Sequence, residues 1–130
     1  MTAEGSSNDR AEARGRSINA EISKRIVGIT RQYTGRGPTR ARTYIEDDLI
    51  TCVLEQALSQ GELKVAEHSG EKLVLDHRKA MQDAMRAELE AMIEEVTGRR
   101  VLAFMSANHV SPDYAIEAFV LEAVPKPKDV

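Results

Sequence analysis

Ile18, Ile22, Ile26, Ile29 and Tyr33 follow one another at spacings of 4, 4, 3 and 4 residues, a single apolar stripe on a helical period. Ser17 stands before the stripe as a candidate N-cap, Gly35 ends it, and Pro38 prevents its resumption. The pattern predicts a first helix over 17–34. The period then drops to two. If Asp47-Asp48 form a two-residue hairpin turn, Ile45 faces Ile50, Thr43 faces Cys52 and Ala41 faces Leu54. Arg42, Tyr44, Glu46, Leu49, Thr51 and Val53 then share the other face.

Residues 57–70 hold Gly61 and Ser69-Gly70 and read as a loop with one short helix near 61–68. A second long stripe comprises Leu73, Val74, His77, Met81, Met85, Leu89, Met92, Ile93 and Val96. It predicts a helix over about 71–97, stopped by Gly98 and roughly 40 Å long. Strands follow at 100–108 and 114–124, joined by residues 109–113.

Residues 1–16 have nothing apolar larger than Ala after Met1 and are expected to form a mobile tail, with a second frayed tail at 125–130. That leaves one α+β domain over 17–124, in the order α-β-β-α-β-β. The expected architecture is a four-stranded antiparallel sheet with two main helices, the second one long. The last hairpin carries large apolar groups on both faces, yet two helices cover only one face of a sheet. A homodimer or larger assembly is the expectation.

Composition narrows the classes. One hundred and thirty residues with 42% hydrophobic content can bury a core without disulfides or metals. Net charge −3 and a pI near 5.7 argue against generic nucleic-acid binding, and the lone Cys52 fits a reducing, cytoplasmic setting. No apolar run approaches the length needed to span a bilayer, so direct membrane insertion is not expected.

Charge is unevenly placed. Between Lys24 and Arg42 lie six cations (Lys24, Arg25, Arg31, Arg36, Arg40 and Arg42) and no acid. They straddle the turn Gly35-Arg36-Gly37-Pro38-Thr39. Three readings of this corner stand side by side. Arg36, Arg40, Arg42 and the backbone N–H groups of Gly35 to Thr39, beside Tyr33, could hold a small anion or a partner's acidic segment. The turn could instead be a helix-to-strand corner with solvated arginines. Its arginines could also pair with acids such as Glu46, Asp47 or Glu88. The spacing matches neither the Walker phosphate loop nor the dinucleotide fingerprint.

Other candidates are weaker. Glu46-Asp47-Asp48 is an acidic hairpin tip and His68, His77 and His109 have no ligand spacing, so no metal is expected. His77 lies on the long stripe and is expected to be packed or hydrogen-bonded. Cys52 points into the core and lacks a paired His. No nucleophile–base arrangement stands out, and the expectation is a non-catalytic protein without a cofactor. The alternative is a nucleic-acid-binding module using the basic segment 24–42.

Tyr33-Thr-Gly-Arg-Gly-Pro-Thr39, followed by Arg42, Ile45, Asp48 and Leu49, resembles the MpsC-like family of bacterial proteins. The resemblance runs over about 18–108 and takes in Glu94-Glu95-Val96-Thr97-Gly98. At Leu58-Ser59-Gln60-Gly61 the chain departs from the family's usual Leu-Thr-Pro-like stretch. The family's label implies a soluble accessory subunit beside a membrane transporter of ions or inorganic carbon, hence a membrane transport partner. It implies no catalytic residues.

Overall fold

Two αββ units, joined through their second strands, account for the whole sheet. The computed structural model describes residues 3–127, with side chains over 18–127. The elements are α1 (Ala3–Thr34), β1 (Arg40–Glu46), β2 (Leu49–Glu55), α2 (Gln60–Ser69), α3 (Glu71–Thr97), β3 (Val101–His109) and β4 (Tyr114–Leu121). The sheet is antiparallel throughout, in the order β1-β2-β4-β3. The fold is α+β, and the register expected for the first hairpin is the one observed, from Ala41 opposite Leu54 to Ile45 opposite Ile50.

Helix α1 begins at Ala3, so Ser17 lies inside it and does not cap it. The mobile tail expected over 1–16 falls on residues whose side chains lie outside the described set. At the other end the Lys126 N–H donates to Thr97 O at 2.8 Å, which ties the chain across the end of α3. Residues 128–130 lie outside the described residues.

The core lies between the sheet and the antiparallel pair α1 and α3. Ile18, Ile22 and Ile26 meet Met85, Leu89, Met92, Ile93 and Val96 over Ile50, Cys52, Leu54, Phe119 and Leu121. Each such side chain contributes about 1.5–3 kcal/mol when fully buried. Phe119 packs on Phe104 with ring centroids 5.1 Å apart. On α1 the stripe weakens towards its end, with Ile29 half-buried and Tyr33 exposed.

Helix α3 corrects the expected stripe. The buried positions begin Val74, Arg78, Gln82, Met85, Leu89, a helical series whose second and third members are polar. Leu73 and His77 face solvent instead, and His77 is therefore not packed as expected.

Helix α2 is longer than expected and starts on a capping box. The Ser59 side chain accepts from the Glu62 N–H at 3.1 Å, and Glu62 accepts from the Ser59 N–H at 2.9 Å. The Asp113 carboxylate supports the link from β2 by accepting from the Ala57 and Leu58 N–H groups.

Candidate functional site

The corner after α1 is built by packing and capping together. Gly35 takes a left-handed φ of 76°, and its N–H donates to Arg31 O at 2.8 Å. Pro38 is buried. Gly37 lies flat on α1: a Cβ there would stand 3.0 Å from Val27 Cγ1 and 3.5 Å from Arg31 Nε and Nη2. The guanidinium of Arg31 thus covers the turn.

Three of the turn's four backbone donors are used within the chain, which leaves the Gly37 N–H. The Gly35 N–H is spent on Arg31, and the Arg36 N–H donates to Thr34 Oγ1, whose own hydroxyl donates to Arg36 O. The Thr39 N–H donates to Glu55 O at 3.0 Å, and its hydroxyl reaches the same oxygen at 3.3 Å. Pro38 has no N–H to give.

Half of the six cations are already matched, and by acids other than those expected. Arg40 and Arg42 both approach Glu55 Oε2, at 3.5 and 3.6 Å, an attraction between charges without a hydrogen bond. Arg25 donates to Glu95 at 2.9 Å and holds that carboxyl below its usual range. Tyr33 donates to Glu88 at 2.5 Å, and this bond pushes the phenol up. Among the described residues, Lys24, Arg31 and Arg36 carry no ion pair, and all three are exposed. Lys24 and Arg31 are seven residues apart, two turns along the face of α1 on which Gly37 rests.

A second polar group lies inside the molecule. Gln82 Nε2 donates to Glu117 Oε1 at 3.0 Å, and Asn108 Nδ2 donates to Gln82 Oε1 at 2.8 Å. Arg78, 2% exposed, has Nη1 at 3.7 Å from Glu62 Oε1. Desolvation pushes the Glu117 carboxyl up to about 7, against the opposing pull of Gln82 and Arg78. The sequence carried a signal for this group. Glu117 falls in phase with Ala115, Phe119 and Leu121, an acid among core positions.

Burial pushes the Cys52 thiol up to about 11, so it is protonated at neutral pH. His68 contacts Ser69, and His109 contacts Pro112 O at 2.7 Å. Among the described residues, no group of three or more His, Cys, Asp or Glu is placed to hold a metal ion.

The family described as "Na+-translocating membrane potential-generating system (MpsC)" matches residues 15–123, most of the chain. The chain belongs to the MpsC family. No curated protein and no solved structure matches it. Among the described residues of this MpsC chain, no helix is long and apolar enough to cross a membrane. The MpsC match contains the corner, the buried polar group and all four strands.

Proposed function

We propose that this MpsC chain is a non-catalytic, cytoplasmic accessory protein of a membrane ion-transport system, and that its corner after α1 binds an acidic segment of a partner protein. The observation that carries the reading is the unmatched trio Lys24, Arg31 and Arg36 beside a glycine turn, in a chain of net charge −3. Guanidinium forks match carboxylates well, and the Arg31 guanidinium lies beside Gly37. The spent backbone donors favour side-chain recognition of an extended acidic chain over capture of one small anion.

Fluorescence anisotropy with a labelled oligoglutamate peptide tests it, with bicarbonate and a single-stranded oligonucleotide as competitors. The reading expects saturable, salt-sensitive binding that bicarbonate displaces poorly. An Arg31→Ala/Arg36→Ala variant should lose most of that binding with its melting temperature nearly unchanged. Undiminished binding by the variant, or tighter binding of the oligonucleotide, would overturn it.

A further inference from the structure

Among the described residues, the helices cover one face of the sheet and leave the other open. Register assigns the open face four rows: Arg40, Arg42, Tyr44, Glu46 on β1; Leu49, Thr51, Val53, Glu55 on β2; Tyr114, Ile116, Ala118, Val120 on β4; and Ala103, Met105, Ala107, His109 on β3. Met105 is 53% exposed and Ile116 37%. We infer that a second copy of this chain covers this face, about a two-fold axis that crosses the strands at their middle.

The strands are centred on one another, which makes the proposal specific. Thr43, Cys52, Glu117 and Ser106 stand side by side across the sheet. A two-fold axis laid along that line, between two facing sheets, puts each strand over its own copy and reverses it. Ile116 then falls on the partner copy's Ala118, Met105 on its Ala107, and Val53 on its Thr51. In each pair a bulky side chain meets a smaller one, the interdigitation that stacked sheets about 10 Å apart require.

Charge selects the same axis. One end of β1 carries Arg40 and Arg42; the other carries Glu46 and leads into Asp47-Asp48. The crossing axis places Arg40 on the copy's Glu46. An axis parallel to the strands would instead lay β1 over the copy's β3, with Arg40 on His109 and Glu46 on Ala103, and match no charges. The four rows span roughly 19 by 23 Å on each copy. Two such footprints come to roughly 870 Å² in projection, the size of a small interface and below the about 1,200–2,000 Å² of standard stable ones. Tyr44, Tyr114, Met105 and the arginines are also residue types enriched at interfaces.

Sedimentation equilibrium on the full chain tests the arrangement. Wild type should be a dimer. Ala118→Arg, which drives a charge against the copy's Ile116, should be a folded monomer by circular dichroism. Arg40→Glu alone and Glu46→Arg alone should each weaken the dimer about tenfold or more, since each sets like charges opposite one another twice. Mixing those two variants should recover most of the lost pairing, because both facing pairs are opposite again; the Arg40→Glu chain still lacks its own Arg40–Glu55 contact. A wild type that stays monomeric overturns the proposal. So do single variants as tightly paired as wild type, or a mixture that does not recover. None of these outcomes bears on the arginine corner, which uses Lys24, Arg31 and Arg36.

Discussion

Gln82 on α3 donates to Glu117 on β4 at 3.0 Å, in a buried polar group that also takes in Asn108 and Arg78. The other Glu117 oxygen has no hydrogen-bond partner, and neither do Nε and Nη1 of Arg78. A carboxyl in this position resists ionisation. Its folded value of about 7 stands above the ordinary 4.5, so the folded state holds the Glu117 proton more tightly than the unfolded chain. Stability from this group is complete below pH 4.5 and is lost as pH rises to about 7. Urea unfolding at pH 5 and pH 8 should show wild type losing on the order of a few kcal/mol. Glu117→Gln should flatten most of that difference; an unchanged slope would contradict the assignment.

Removing Arg78 takes a buried cation away from both Glu62 and Glu117. Arg78→Met should cost about 3 kcal/mol at pH 8, where Glu117 is ionised, and less at pH 5. Denaturation at the two pH values separates this from a simple packing loss, which would be equal at both.

The capping box on α2 gives a local test. Ser59→Ala should cost about 1 kcal/mol and speed amide exchange at Glu62, while Ser59→Thr should be close to neutral. Nuclear magnetic resonance exchange rates for α2 against α3 would show whether the loss stays in α2.

Gly37→Ala should weaken oligoglutamate binding. The added Cβ would stand 3.0 Å from Val27 Cγ1, so the turn must lift from α1 and carry Arg36 away from Arg31. The same peptide titration, with the melting temperature as control, checks whether the two arginines must stay together.

How far the sequence reveals this molecule depends on whether polarity and burial agree. The first hairpin was legible in full because Asp47-Asp48 make the turn, with Asp47 at φ 53°, and because that register sets Ile45, Thr43 and Ala41 beside Ile50, Cys52 and Leu54. Helix α3 was bounded correctly by Gly70 and by Gly98, which is left-handed at φ 68°. Its inward face was misphased over the first turns because Arg78 and Gln82 are buried, and an apolar stripe cannot register polar residues. At the corner, the cations were visible in sequence. Their partners were not, since Glu55 and Glu95 arrive from other elements. The spending of the Gly35, Arg36 and Thr39 donors also depends on how the turn closes.

Two surfaces would then serve two uses: the open sheet face a second copy, the arginine corner an acidic segment. Native mass spectrometry of the full chain with oligoglutamate reads both at once. It should give a species of twice 14.4 kDa that takes up one peptide per chain and stays paired. A 14.4 kDa monomer, or a dimer that falls apart as peptide binds, would contradict it.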